Sequence, residues 1–359
     1  MRTIKQPPFL LLLGLLLGLS ACQNDDEAQE LQSSNNYILE ESAFGCTNYQ
    51  TITIDAVFQI NHTLQYENFL IFGGFDSLLI ADASSNERLI NTGLRVNKLL
   101  AYNNKVTVCA DQGVFEIDAI PTVVEKQSWA CEDVMLSSKG ELLATFNGGF
   151  TTTPKIYRWD EMQGFLPFTD KHTRSCLNIS QMAEAANGDI WAINCGNFVL
   201  RFRDDNFLDF FNEDDLPRTL SWQGATVLLQ SYGADMVLAV KNGTGLYQVL
   251  KFRNGEWLTL FNETLSNADV TDQVAEMMLP SLEKALVRND KLYIGTTLAS
   301  CRGIHVFDIT KNELLQPADY YVIKDPELEG QCINDISLTS NGDIIVTTLG
   351  NDVTIMDCN

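Results

Sequence analysis

The chain has 359 residues, 45% of them hydrophobic, and a formal net charge of −23. That apolar share excludes a disordered body. The charge excludes nucleic acid and anionic lipid headgroups as electrostatic partners, because so acidic a surface repels both.

The first element is a leader. Arg2 and Lys5 precede an apolar run from Phe9 to Leu19, and Leu19-Ser20-Ala21 ends in small residues before Cys22. Basic, apolar and small segments in that order describe a secretory signal, and the run is too short to span a bilayer comfortably. Residues 1–21 are therefore predicted to be a signal peptide. Leu-Ser-Ala-Cys resembles the lipobox of bacterial lipoproteins, in which the cysteine becomes the first mature residue and carries acyl chains, palmitate among them. The resemblance implies lipidation of Cys22 and outer-membrane lipid as a partner; the other reading is an ordinary cleaved signal followed by a free thiol. Gln23 after the cysteine implies passage to the outer membrane. Gln23-Asn24-Asp25-Asp26-Glu27 is similar to the surface-export signal of some Gram-negative lipoproteins, which implies a protein facing the exterior; a solvated tether on a periplasm-facing protein reads the same residues differently. One acyl chain binds a membrane only marginally, at about 0.8 kcal/mol per buried methylene, so a lasting anchor needs several. Residues 22–45 are polar and aperiodic, the composition of a flexible tether. Loss of Arg2 and Lys5 with the leader takes the net charge to −25.

Residues 46–359 form the body, and their most telling property is a repeat. An alternating strand leads into a turn, a strongly apolar strand, a glycine-bearing loop and a third strand. The clearest copies are Ile179–Ile193 with Phe198–Arg203, and Asn334–Thr348 with Asp352–Asp357. Asn187-Gly188 and Asn341-Gly342 sit between alternating runs, a hairpin signal in which both residues tolerate positive φ. Weaker copies run Val96–Ile117, Asp133–Trp159, Ala225–Phe252 and Lys284–Asp308, and an irregular first copy holds Phe69–Phe72 and Leu78–Ile80. Fourth strands follow at Phe165–Phe168, Phe207–Phe211 and Trp257–Phe261. Seven such units predict an all-β, seven-bladed β-propeller rather than a pair of sandwiches. The last unit has three strands, and Thr51–Val57 has no unit of its own. That N-terminal strand is predicted to close the ring from outside, leaving no open edge.

Leu292-Tyr-Ile-Gly-Thr296, Gly303-Ile-His-Val-Phe-Asp308 and Asn187-Gly-Asp-Ile-Trp191 resemble the propeller repeats of two-component regulators. Only the copy near Leu292 keeps the Gly-Thr pair, and no kinase or spanning helix follows, so the resemblance implies architecture and not signalling.

Besides Cys22 there are eight cysteines, an even number in an oxidising compartment. In a blade, the start of the innermost strand and the end of the second share a face. Cys131, Cys176 and Cys332 precede innermost strands, and Cys109, Cys195 and Cys301 end or follow second strands. This predicts disulfides Cys109–Cys131 and Cys301–Cys332 between neighbouring blades, Cys176–Cys195 within one, and Cys46–Cys358 as a clasp on the ring.

Catalytic machinery is hard to find. His62, His172 and His305 have no metal-ligand spacing, and no nucleophile elbow, Walker loop, dinucleotide fingerprint or sialidase-type box occurs. No catalytic residue, cofactor site or metal site is predicted. Asp204-Asp205-Asn206 and Glu213-Asp214-Asp215 offer oxygen ligands for calcium but lack a glycine-centred spacing, so solvated loops are expected. Gly73-Gly74-Phe75-Asp76 and Gly148–Thr153 are expected as loops with aromatic tips, Asp269–Glu283 as a connector with a weak helical stripe. Asp76-Ser77-Leu78 resembles a bacterial O-glycosylation acceptor. The functional expectation is a lipid-anchored binding or scaffold module of the cell envelope with a protein or glycan ligand on the disulfide-braced face. The alternative is an envelope carbohydrate-active enzyme, hydrolase or lyase, with carboxylates near the axis.

Overall fold

The computed structural model describes residues 46–358 apart from 54–57, 83–86, 118–122, 148–155, 170–178, 195–197, 205, 212–214, 217–225, 242–245, 265–283, 296–302, 316–318, 324–327, 329–330 and 351. The leader, Cys22, the tether, His172, Cys176, Cys195, Cys301, Gly148–Thr153 and Asp269–Glu283 lie outside the described residues.

Strand β1 (Cys46–Thr53) comes first. Blade I is β2 (Ile60–Tyr66), β3 (Phe69–Gly74), β4 (Ser77–Asp82) and β5 (Glu87–Asn91). Blade II is β6 (Val96–Tyr102), β7 (Lys105–Ala110), β8 (Gly113–Ile117) and β9 (Val123–Gln127). Blade III is β10 (Ala130–Leu136), β11 (Leu142–Asn147), β12 (Ile156–Asp160) and β13 (Gly164–Thr169). Blade IV is β14 (Ile179–Glu184), β15 (Asp189–Asn194), β16 (Val199–Arg203) and β17 (Asn206–Phe211). Blade V is β18 (Thr226–Tyr232), β19 (Asp235–Lys241), β20 (Leu246–Arg253) and β21 (Glu256–Thr264). Blade VI is β22 (Lys284–Arg288), β23 (Lys291–Gly295), β24 (Ile304–Asp308) and β25 (Tyr320–Val322). Blade VII is β26 (Ile333–Leu338), β27 (Ile344–Thr348) and β28 (Asp352–Cys358), with β1 paired antiparallel on its outside. The innermost strands touch one another in cyclic order, β26 meeting β2, so the body is a seven-bladed propeller.

The described closing strand is Cys46–Thr53, so it begins before Thr51, and the 54–57 end of the expected strand lies outside the described residues. Thr51, Ile52 and Thr53 oppose Thr354, Val353 and Asp352, and the ladder runs back to Cys46 opposite Cys358 across a bulge between Thr47 and Gln50. The polar stretch Cys46-Thr-Asn-Tyr-Gln50 does not alternate. An outermost strand does not need to, since β28 supplies its backbone partners.

The core consists of seven apolar layers, one at each blade junction. Ile60, Phe72, Ile345 and Val353 fill the junction of blades VII and I, and Val240, Leu238, Trp191 and Phe252 that of blades IV and V. Second strands are covered on both faces, which is why Asp189–Asn194 is buried throughout and β7 beyond its first residue. Gly73 and Gly295 sit where this packing is tightest. A Cβ on either would lie 2.5 Å from Val96 Cγ1 or Ile333 Cγ2, the first residue of the next blade. Gly73→Val is expected to cost about 1–3 kcal/mol by overpacking, read as a lower urea midpoint; an unchanged midpoint would mean the blades are not pressed together here.

Recurring ion pairs lock the second strand to the third. Lys105 bonds Glu116 at 3.2 Å in blade II and Glu141 bonds Arg158 at 3.0 Å in blade III. Asp189 takes Arg201 and Arg203, each at 2.6 Å, in blade IV. In blade V, Asp235 lies 3.6 Å from Lys251, whose buried ammonium also donates to the Ile309 carbonyl at 2.8 Å.

Several local expectations are corrected. Asn187 and Asn341 do not take positive φ. Only Gly188 and Gly342 do, at 82° and 87°, and the hydrogen bonds Ala185 N–H to Asp189 O and Thr339 N–H to Asp343 O close three-residue loops. Two-residue turns with both φ positive fall instead at Asn103-Asn104 and Asn289-Asp290. Gly73 and Gly74 belong to β3, leaving Phe75-Asp76 as the turn, with the Arg95 guanidinium 4.8 Å from the Phe75 ring centre. Ser77 is buried and donates to Asn91 at 3.0 Å, so it is no accessible glycosylation acceptor. Cys131 does not precede β10 but lies within it.

Candidate functional site at the propeller axis

The innermost strands position the polar groups nearest the axis, and a shared irregularity sets their aim. In β2, β6, β10, β14 and β26 a bulge interrupts pairing with the second strand near the strand start, at Ile60/His62, Val96/Lys98, Cys131/Asp133, Ile179/Gln181 and Ile333/Asp335. A bulge bends its strand and re-aims side chains. In blades I and II the middle residue of the triplet clamps the neighbouring blade, Asn61 Nδ2 donating to the Val96 carbonyl at 3.3 Å and Asn97 Nδ2 to that of Cys131 at 2.7 Å, whereas Ser180 and Asn334 donate to the second strand of their own blade. The residue after it forms a belt. From blade I to VII the belt reads His62, Lys98, Asp133, Gln181, Leu228, Lys284 and Asp335, the last three placed by pairing with Ala239, Gly295 and Thr347 on the second strands.

The acceptors of this belt turn sideways into the next blade. Asp133 Oδ2 accepts from Met182 N–H at 2.6 Å while Oδ1 takes the Lys98 ammonium at 2.6 Å. Gln181 spans to Leu229, accepting from its N–H at 2.9 Å and donating to its carbonyl at 3.0 Å. Asp335 Oδ2 accepts from Thr63 N–H at 2.6 Å, and Thr63 Oγ1 lies 2.9 Å from Thr347 Oγ1. The belt therefore stitches blades II to III, III to IV, IV to V and VII to I.

Burial pushes the Asp335 carboxyl up to about 6, against the pull of Lys284 and of the Thr63 and Ile336 N–H groups. Burial, with Lys284 and Lys98 nearby, holds His62 well below the usual imidazole range, so it is neutral at pH 7. A carboxyl that holds its proton more tightly folded than unfolded loses stability as pH rises from about 4 to about 6. The difference in unfolding free energy between the protein and Asp335→Asn should therefore shift by about 2–3 kcal/mol between pH 4 and pH 8, in favour of the variant at the higher pH. Urea melts at both pH values check this, and a pH-independent difference would contradict it.

The Cys109–Cys131 disulfide is present, joining β7 to β10 with Cα atoms 5.2 Å apart. Cys46 and Cys332 are also disulfide-bonded. His305 is on β24, its ring 6.5 Å from that of Phe307 and away from the belt. Asp204 pairs with Lys139 at 2.6 Å. Asp215 lines a cleft of about 630 Å³ with Phe210, Phe211 and Trp257 at the junction of blades IV and V, and Asp204 is not among its lining residues. Among the described residues no group of three or more His, Cys, Asp or Glu side chains is placed to hold a metal ion.

Sequence reasoning set His62 aside and missed the belt. The signal that finds it is an aligned triplet: Ile60-Asn-His62, Val96-Asn-Lys98, Cys131-Glu-Asp133, Ile179-Ser-Gln181 and Ile333-Asn-Asp335.

No protein-family model matches the chain, and no curated protein matches its sequence. Solved structures share the fold. Streptogramin B lyase superimposes with a TM-score of 0.60 at 10% identity, over 87% of this chain and 98% of that one. The extracellular domain of a hybrid two-component system from B. thetaiotaomicron gives 0.60 at 12% identity, over 88% of this chain and 43% of that one, so this chain spans less than half its length. YCF48 bound to a D1 peptide gives 0.58 at 10% identity, over 88% and 100%. At such identities the likeness is one of fold, and the sequence resemblance to two-component-regulator repeats agrees with the architecture.

Proposed function

We propose that the protein is a lipid-anchored binding or scaffold module of the cell envelope, held to the outer membrane through acylated Cys22 and facing the exterior. The observation that carries the binding reading is the belt itself: one residue from each blade stands at the same level near one mouth of the ring, with His62, Lys98 and Lys284 only partly covered, and the loops of that mouth come from every blade. The belt lies within the first residues of the innermost strands, close to that mouth. The Cys109–Cys131 bond braces the same mouth, and Cys46–Cys358, Cys301–Cys332 and Cys176–Cys195 are proposed to complete the bracing. Likeness to extracellular propeller domains supports an envelope location.

The ligand is a protein or a glycan. Glycan-array binding together with pull-down from cell envelopes tests this: a saturable partner supports the module, and a purified sample that degrades a polysaccharide while capturing none overturns it. The enzyme reading is the weaker one because the belt carboxylates Asp133 and Asp335 are sealed and occupied by backbone N–H groups. Cys22→Ala should move the protein from the membrane to the soluble fraction, and protease treatment of intact cells should digest the anchored form.

A further inference from the structure

We propose that the axial belt is an anion site, in which His62, Lys98 and Lys284 hold a carboxylate, sulfate or phosphate group of the ligand. This rests on the binding-module reading and adds the chemistry of what is bound.

The belt divides its charges by access. Its two acids are closed off: Asp335 is 2% exposed and Asp133 3%. Their oxygens are filled from within the sheet, by Thr63 N–H in one case and by Met182 N–H and Lys98 in the other. Its nitrogen-bearing residues are less closed off, although His62 Nδ1 itself is buried. The Lys98 side chain is 29% exposed, and His62 and Lys284 are also only partly covered. A nitrogen donor cannot do what Asp133, Gln181 and Asp335 do, which is to accept from the next strand's N–H. At blades I and VI the belt side chains are therefore left for something else, and at blade II Lys98 is used only in part, on Asp133.

These donors are also under-used. Among the described residues Lys284 makes no hydrogen bond or ion pair, although its charge reaches both His62 and Asp335. Lys98 spends one N–H on Asp133 and has two more. His62 Nδ1 is buried and has no partner among the described residues. Blades VI, VII, I and II are consecutive, so the three groups occupy one arc, opposite the uncharged Gln181 and Leu228. Two ammonium groups held beside an imidazole repel one another and favour its neutral form. A bound oxyanion relieves that repulsion and gives each donor an acceptor, and charge-assisted bonds of this kind are the strong ones. The rest of the protein, at a net charge of −23, repels anions, so the axis is where one can be held.

The test uses the full mature chain and NMR of its histidine ring resonances, with sodium glucuronate, sodium sulfate, sodium phosphate and neutral glucose as probes. Saturable shifts of the His62 resonances with one or more oxyanions, and none with glucose, are expected; which of them saturates identifies the ligand's acidic group. Lys284→Met should weaken binding at least tenfold, Lys284→Arg should restore most of it, and Lys139→Met, in the turn beyond the far end of β10 from the belt, should change nothing. Thermal melts of each variant separate lost binding from lost folding. No saturable His62 shift with any oxyanion, or equal shifts with glucose and glucuronate, overturns the anion site. If a partner is captured from envelopes and His62 stays silent, the anion site falls and the binding module stands. If oxyanions saturate while arrays and pull-downs return nothing, the anion site stands and the module falls.

Discussion

Removing residues 46–57, and β1 with them, should abolish the monomeric folded state. β28 would become an exposed edge, its N–H and C=O groups free to pair with another chain. Val353, Thr354 and Met356, now buried, would lie on the rim of a three-stranded blade. The proposed Cys46–Cys358 bond would be lost too. A cross-link closing so long a loop is worth roughly 4–5 kcal/mol in the chain-entropy account, comparable to the lower end of a whole domain's stability of about 5–15 kcal/mol. The truncated protein should elute as oligomers in size-exclusion chromatography and unfold without a sharp transition. A truncated monomer that melts within a few degrees of the full body would show that β1 is an ornament.

Asp189→Ala should be the most damaging single substitution. The carboxylate is fully buried at the start of β15 and accepts from the guanidinium groups of Arg201 and Arg203. Arg201 in turn lies over Trp191 and Phe252, its guanidinium carbon 5.3 Å and 5.7 Å from the ring centres, within the apolar layer between blades IV and V. Burial works against the Asp189 charge, but the two guanidinium groups outweigh it and hold the carboxyl below its usual range. Deleting the acid leaves Arg201 largely buried with only the half-exposed Asp209 to answer it. Loss of one partner from a buried pair costs about 3–5 kcal/mol, which a urea titration would show as a lower midpoint at unchanged slope. Asp189→Asn keeps the shape and should lose less. Because the native carboxyl is depressed, its contribution is present above the ordinary aspartate range and fades as pH falls through the folded value, so the gap between the two proteins should narrow in acid. A cost below 1 kcal/mol would contradict this account of the blade IV pair.

The parts of the fold legible in the sequence are those covered on both sides. Second strands such as Lys105–Ala110 and Asp189–Asn194 read as continuous apolar runs because a blade faces a neighbour on either side. Outer strands are less legible. Glu87-Arg-Leu-Ile-Asn91 is mostly exposed, and Val123–Gln127 carries charge at an edge, so neither shows alternation. Tyr320–Val322 is only three residues long. The turns misled for a related reason: asparagine tolerates positive φ but does not require it, and a three-residue loop uses only the glycine.

The belt was hidden because function at an axis is assembled from positions, not from neighbours in sequence. His62 and Lys284 are 222 residues apart, and no two belt members share a residue-type motif beyond the triplet they begin. One cysteine pair was legible for the opposite reason. Their chemistry is fixed, so a topology was enough to pair Cys109 with Cys131.

Peptide mapping under non-reducing conditions tests the closed ring most directly. Only a closed ring brings β1 alongside β28 and sets Cys46 opposite Cys358. The expected result is a single cross-linked species joining the peptide that contains Cys46 to the one that contains Cys358, separated by reduction. Cys46 joined to any other cysteine, or recovered as a free thiol, would contradict the ring.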